Sequence, residues 1–352
     1  MALLDIFSTD AFSVHNLSMA IDKLPYEPGR IGRLNLFKPM PITTTIAIVE
    51  ERYGKLSILP TMPRGSEGQT TQSGVTRKMR AFPVPHVPNW DAVLASDLEG
   101  KRAFGSETQT EIFAGVVNDR LEMMKKNHEL TREYHRVGAL HGIVLDADGT
   151  TELINWFTEF GITQTVEYIN FYDSGSYDQS DPVIDMKQKC TLIKRHVQDA
   201  LGATPFRNLR AFCGDTFFDK LVVHPTVRRA YEQYQNNTFA RSLQNDETGF
   251  EFGGIIWENY RGSIDGIDFF DDDEAIVFPE GSDIFQEVIA PADFVETVNT
   301  RGQPIYAKQE RMKYDKGLEL HTQSNILYMS ARPKALIRLI GIDEAPGTGS
   351  TP

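Results

Sequence analysis

SETQTEIFAGVVNDRLEMMKKNHELTREYHRVG, residues 106–138, decides the fold class. Phe113, Val116, Val117, Leu121 and Met124 recur at steps of three and four, which puts them on one face of an α-helix. Ser106 stands as N-cap, and Gln109 three residues on completes a capping-box pattern. Glu122 lies four residues before Lys126 and Glu133 three before Arg136, the spacing of solvent-side ion pairs. Gly138 supplies the stop. A helix over 106–137 is ~48 Å long at 1.5 Å per residue. That length suits a girder better than the wall of a pocket.

Downstream, GIVLDADGTTELINWF (142–157) reads as a hairpin turning at Asp148-Gly149. Its DADG resembles the opening of a calcium loop but lacks the closing Glu at position 12, so a tight turn is expected. Residues 183–202 form a second amphipathic helix through Ile184, Met186, Leu192, Ile193, Val197 and Leu201, ended by Gly202. NLRAFCG (208–214) reads as a buried strand. A helix starts at Asp215 and is interrupted by Pro225. FEFGGIIWENYRG (250–262), AIVFPE (275–280) and NILYMSARPKALIRLI (325–340) supply further strands, and 344–352 is a flexible tail. No internal repeat is present, and the class is α+β.

Upstream, residues 43–60 read as a hairpin, TTTIAIVEE against KLSILP with Tyr53-Gly54 at the turn. Residues 61–80, polar and Gly-rich, read as an extended mobile loop. Pro83, Pro85 and Pro88 favour extended or polyproline backbone over 81–91. Residues 1–42, punctuated by Pro25, Pro28, Pro39, Pro41, Gly29 and Gly32, cannot be one regular element and read as an arm that needs a partner surface.

The chain has 352 residues, 40% hydrophobic and 24% charged, enough for a real core. No apolar run reaches the ~18–20 residues that span a bilayer, and the N-terminus has no basic region of a secretory signal. Cys190 and Cys213 are too few for a disulfide framework and read as buried apolar side chains in a reducing cytoplasm. A net charge of −13 argues against a dedicated nucleic-acid binder but suits a wall that must not adhere to DNA.

Walker A, GxGxxG, HExxH and GxSxG patterns are all missing, so no catalytic, cofactor or metal residue is assigned. His128 and His135 share a helix face, but ~10.5 Å of rise separates them, too far to chelate one ion. The run Asp271, Asp272, Asp273, Glu274 reads as a solvated face or a partner contact rather than a metal site. Asn236-Asn237-Thr238, formally a glycosylation acceptor, carries no meaning in a cytoplasmic product. Arg77, Lys78 and Arg80 cluster in the extended loop and read as a tip that salt-bridges acidic residues of a neighbouring copy.

The stretch FPVPHVPNWDAVLASDLEGKRAFGSETQTEI (82–112) resembles the lambda-type major capsid proteins, the phage capsid protein E family. HELTREYHRVGALHGIVLDADGT (128–150), FCGDTFFDKLVVHPTVRRAY (212–231), FEFGGIIWENYRG, AIVFPEG and NILYMSARPKALIRL are similar to later family blocks in the same order. The resemblance runs from about residue 30 to 341 and implies the Hong Kong 97 type capsid fold. It assigns 1–42 to an N-terminal arm, 43–103 to an extended loop and 104–177 to a spine helix with the peripheral domain. It assigns 178–295 to an axial domain, 296–343 to returning peripheral strands and 344–352 to the tail. It implies a homo-oligomer of pentamers and hexamers that closes an icosahedral shell around double-stranded DNA, with no sequence-specific binding, no membrane, no cofactor and no covalent crosslink. Decoration protein, portal and scaffold are partner candidates. The implied location is the virion, after assembly in the host cytoplasm. An encapsulin-like compartment and a metal-dependent hydrolase using Asp271–Glu274 with His224 are the rival readings.

Overall fold

A computed structural model describes residues 29–53, 76–98, 109–171, 186–202, 204–228, 249–264 and 267–343; side chains at 51–53, 76, 77, 97, 98, 109–114, 264 and 267 lie outside the description. In chain order the elements are α1 (Arg30–Leu34), β1 (Lys38–Pro41), β2 (Ile46–Tyr53), β3 (Thr76–Pro83), β4 (Val87–Leu94), α2 (Ala95–Leu98) and α3 (Gln109–His141). Then come β5 (Ile143–Leu145), β6 (Glu152–Asn155), α4 (Trp156–Phe160), β7 (Thr165–Asn170), α5 (Met186–Leu201), β8 (Asn208–Cys213) and α6 (Asp215–Val223). The remaining strands are β9 (Phe250–Phe252), β10 (Ile255–Asn259), β11 (Ser263–Ile264), β12 (Ile267–Asp268), β13 (Glu274–Glu280), β14 (Phe285–Ile289), β15 (Tyr306–Arg311), β16 (Gly317–Ser324), β17 (Ile326–Ser330) and β18 (Ile337–Ile342), with short 3-10 helices at Val295–Thr297, Lys313–Asp315 and Pro333–Ala335. The α+β expectation holds.

The chain divides into two compact units, and β1, α2, β14 and β17 carry it from one to the other. Unit one gathers Met40–Ala95 and Val288–Leu327. It contains the β2–β3 ladder and the antiparallel sheet β15-β16-β4. Unit two gathers Met19–Pro39, Ser96–Glu287 and Tyr328–Pro352 around a six-stranded sheet in the order β7-β18-β13-β8-β10-β9. Its central strands are apolar on both faces: Leu209, Ala211, Phe212, Ala275, Val277, Phe278, Ile337 and Leu339 are all buried. Strands covered on both sides read as near-continuous apolar runs, and NLRAFC and AIVF are such runs. The sheet draws its strands from both sides of residue 177, since β7 pairs with β18 and β18 with β13.

Several local expectations shift. The long helix runs past Gly138 to His141, and Gly142, at φ +82°, ends it. Gly138 is required by close approach instead: a Cβ there would sit 2.8 Å from the Ile143 carbonyl oxygen and 2.9 Å from Val144 Cα. With 33 residues the helix is ~50 Å long. Ser106 lies outside the described residues. Glu122 and Lys126 pair at 3.3 Å on the surface as expected, whereas Glu133 and Arg136 pair at 3.1 Å with both side chains buried. β2 pairs with β3, with Ile46 opposite Pro83 and Tyr53 opposite Thr76; residues 55–60, expected to face it, lie outside the described residues. Residues 76–80, expected in the mobile loop, are thus strand. Residues 87–91 are strand as well, since β4 pairs with β16 over its whole length. Pro88 is tolerated there because β4 is an edge of its sheet.

Other readings agree with the structure. Asp148 closes the β5–β6 turn: its carboxylate accepts from the Thr150 and Thr151 amides at 3.0 and 2.8 Å and from the Thr151 hydroxyl at 2.6 Å. Those bonds, the Thr151 hydroxyl first, hold its pKa well below the usual carboxylate range. α5 buries Met186, Cys190, Ile193, Val197 and Leu201, though Leu192 is exposed and Ile184 lies outside the described residues. Cys190 and Cys213 are buried and not disulfide-bonded.

Candidate assembly surfaces

In unit one the two-residue period of the β2–β3 ladder sorts the side chains cleanly. Ala47 faces Phe82 across the ladder, and both are 3% exposed. The opposite face carries Ile46, Ile48 and Met79, exposed to 47%, 71% and 73%. Two β-branched side chains and a thioether side by side on a strand face in water form an apolar surface of the kind that another protein covers. Lys78 and Arg80 belong to the other face, set by alternation with Met79. The basic cluster is therefore split by the pleat, and the Arg77 side chain lies outside the description.

The β15-β16-β4 sheet presents a second surface. Leu318, Leu320, Thr322, Val93 and Ala307 bury one face. Across the other face runs the row Lys308, His321, Trp90. The Trp90 and His321 rings stack with centroids 3.9 Å apart, and Phe294 meets His321 in a T-shaped contact at 5.3 Å. Lys308 Nζ lies 5.1 Å from the Phe294 centroid and pairs with Glu296 at 2.9 Å. Burial lowers the His321 pKa, so the ring is neutral in this stack at pH 7. Trp90 remains 65% exposed, while Trp156 and Trp257 are fully buried.

Unit two carries the rigid frame. On α3, Val117, Leu121 and Met124 are buried as the stripe predicts; Val116 is half-buried, and the Phe113 side chain is outside the description. The stripe then continues through polar residues. His128, Glu133, His135 and Arg136 are all at or below 5% exposure. Glu133 accepts from the Ile31 and Gly32 amides at 2.7 and 3.2 Å, from Arg136 Nη1 at 3.1 Å and from the Tyr260 hydroxyl at 3.0 Å. Arg132 donates to Glu129 at 2.7 Å, Glu287 at 2.8 Å and Tyr328 at 3.1 Å. Arg30 ion-pairs with Glu258, which holds Arg210, which holds Glu280. The described end of the proposed arm, residues 30–37, is thus fixed to its own chain, with Phe37 also packed on Phe285 and Tyr328. Sequence reading missed this network. The signal was present, since His128, Arg132 and His135 extend the Met124 stripe at steps of four, four and three.

The acidic run does not act as a unit. Asp271, Asp272 and Asp273 are exposed, with Asp273 held by Lys220 at 2.9 Å. Glu274 is 4% exposed and bound to Arg338 at 2.7 Å, which corrects its expected place on a contact surface. His224, the rival hydrolase's histidine, is buried, and its Nδ1 accepts from the Thr226 amide at 3.3 Å.

A family model described as phage major capsid protein E matches residues 13–340. The chain belongs to that family. Two curated relatives agree with the family. The major capsid protein of Pseudomonas phage KPP10 is 26% identical over 93% of this chain and 96% of its own length. The major capsid protein of Salmonella phage Felix O1 is 23% identical over 93% of this chain and 95% of its own length. Among solved structures, the mature capsid of bacteriophage PhiM1 aligns over 92% of this chain and 89% of its own at 10% identity and a TM-score of 0.49. Within the family the chain is a capsid protein.

Proposed function

We propose that this chain is the shell subunit of a tailed phage head, of Hong Kong 97 type, and that unit one supplies its principal lattice contacts. The observation that carries this is the density of exposed large apolar side chains there: Met40, Ile46, Ile48, Met79, Trp90, Leu94, Val295, Val298 and Tyr314 are all at least 41% exposed. Left in water this surface is a liability; buried between copies at ~25 cal/mol per Å² it holds a lattice whose single contacts are each weak. In this reading residues 43–103 form the loop that lies over a neighbouring copy. Lys78 and Arg80, with Arg77, meet exposed acids such as Asp271, Asp272 and Asp273 of that copy. Residues 1–42 form the arm, and surfaces within 178–295 meet around five- and six-fold axes. Family membership and both phage relatives favour a virus head over a cellular compartment. Double-stranded DNA would be enclosed without base contacts, and portal, scaffold and decoration proteins are partner candidates for the assembled shell.

Trp90 provides the test. It is the exposed tryptophan of three, so its emission reports on unit one while the other two stay constant. Assembly followed jointly by electron microscopy and fluorescence is expected to give closed shells, tubes or rings together with a blue shift that Trp90→Phe abolishes. Reversing the charges of Arg77, Lys78 and Arg80 together is expected to impair particles more than subunit solubility. A chain that stays monomeric at high concentration with its partner gene products, or shells in which Trp90 remains fully quenchable by acrylamide, would overturn the reading.

A further inference from the structure

Unit two contains a cleft of about 350 Å³ between the C-terminal end of α3, the β5–β6 hairpin and the sheet face at β13 and β18. This is within the size range of small-ligand sites, roughly 300–1,000 Å³. Val137, Ile143, Leu145 and Phe269 give it apolar walls. Four carboxylates line it, Glu152, Asp268, Asp271 and Glu274, against one guanidinium, Arg338. Acids alone would make no site, but Glu274 adds an independent observation. Its side chain is 5% exposed, and Arg338 occupies Oε2 at 2.7 Å. Its Oε1 accepts no hydrogen bond.

The neighbour of that oxygen sharpens the point. His141 Nε2 lies 3.0 Å from the Phe269 carbonyl oxygen, so Nε2 is the ring's donor. Nδ1 of the neutral ring then carries a lone pair, and it faces Glu274 Oε1 at 3.7 Å. With both groups unprotonated, two acceptors face each other there. The hydroxyl of Tyr134, also on the cleft wall, is buried without a partner as well. A buried carboxylate oxygen left unsatisfied forfeits its hydration without a replacement bond, which is unfavourable. A group that brings several N–H donors and a positive charge would satisfy these atoms, and an alkyl stem behind it would lie on the apolar walls.

We propose that this cleft binds an aliphatic primary ammonium, with Glu274 Oε1 and His141 Nδ1 accepting from the ammonium and Val137, Ile143, Leu145 and Phe269 enclosing the alkyl stem. The apolar walls select an organic amine over an inorganic cation, and among the described residues no cluster of His, Cys, Asp or Glu could hold a metal ion. The same chemistry comes from two sources, a free diamine or the lysine of a neighbouring copy.

The test is calorimetric titration of the soluble full-length chain with 1,5-diaminopentane at low salt, a measurement that stands apart from the shell reading. One saturable site per chain is expected. Glu274→Gln and Glu152→Gln should each weaken it at least ~10-fold. Glu251→Gln, which removes an exposed acid on β9 outside the cleft, should leave it unchanged. If Glu274→Gln does not fold, Glu152→Gln and Tyr134→Phe carry the comparison. In assembled shells, carbodiimide coupling followed by mass spectrometry separates the sources. A crosslink between a cleft carboxylate and a lysine assigns the ammonium to another copy, and diamine released on denaturation assigns it to the free compound. Amine binding that falls equally in Glu251→Gln, or the failure of both the titration and the crosslink, overturns the proposal.

Discussion

Glu133→Gln is the most informative single perturbation of the frame. The carboxylate is 3% exposed and receives four donors: two backbone amides of α1, a guanidinium and a phenol. The amide keeps the shape and one acceptor oxygen but loses the charge, and it turns a donor toward groups that are themselves donors. Arg136, 5% exposed, is left without this carboxylate. Breaking a buried ion pair by removing one partner typically costs about 3–5 kcal/mol. Because Ile31 and Gly32 give their amides to Glu133 directly, the loss should appear first as opening of residues 30–34. Hydrogen exchange on the full-length soluble chain reads this residue by residue. Protection at Ile31 and Gly32 should fall by at least ~100-fold, since each 1.4 kcal/mol is a factor of ten. β8 amides should keep theirs, which separates local release from global unfolding. Tyr260→Phe should cost ~1 kcal/mol in the parent and less in the Gln background, because the two act through one oxygen. Unchanged protection at Ile31 and Gly32, with β8 intact, would refute the view that a carboxylate of α3 pins α1.

Three further expectations follow from the same structure. Burial pushes the His135 pKa down to about 4 from 6.5; the unfolded chain takes up the proton first, so stability falls as pH drops from about 6.5 through about 4, by about 3 kcal/mol in all. His135→Gln should flatten that slope in urea midpoints measured between pH 7 and 4, and an equal slope in both proteins would sink the assignment. Gly138→Ala should destabilise the β5–β6 hairpin by about 1–3 kcal/mol through overlap with the Ile143 and Val144 backbone, and a hairpin with unchanged amide exchange would contradict it. Asp148→Ala should speed exchange at the Thr150 and Thr151 amides without altering α3, whereas retention of protection would show that Gly149 alone sets the turn.

Much of the fold was legible because it rests on short-range rules. The Val117, Leu121, Met124 stripe, the Asp148-Gly149 turn and the apolar runs of β8 and β13 each announce themselves within a dozen residues. What failed did so where distant parts of the chain decide. Gly138 looked like a stop because glycine usually is one, and only the approach of β5 shows that it is a contact point inside a longer helix. Glu133 and Arg136 looked like a surface pair because their spacing is that of one, and only α1 and Tyr260, 100 and more residues away, make the pair buried. The pairing of β2 with β3 joins strands separated by a long polar stretch, which no short-range pattern marks.

The sequence by itself determined the class, the long helix, the family and hence the capsid role, since periodicity and ordered family blocks are properties of the chain alone. Tertiary structure decided which face of each strand meets water, so that Ile46, Ile48 and Met79 form one exposed row while Lys78 and Arg80 face away from it. It also decided which acids are buried, separating Glu274 from Asp271, Asp272 and Asp273. The physical reason is that register and burial depend on partners far away in sequence, and a residue's charge or polarity does not say which partner it will find.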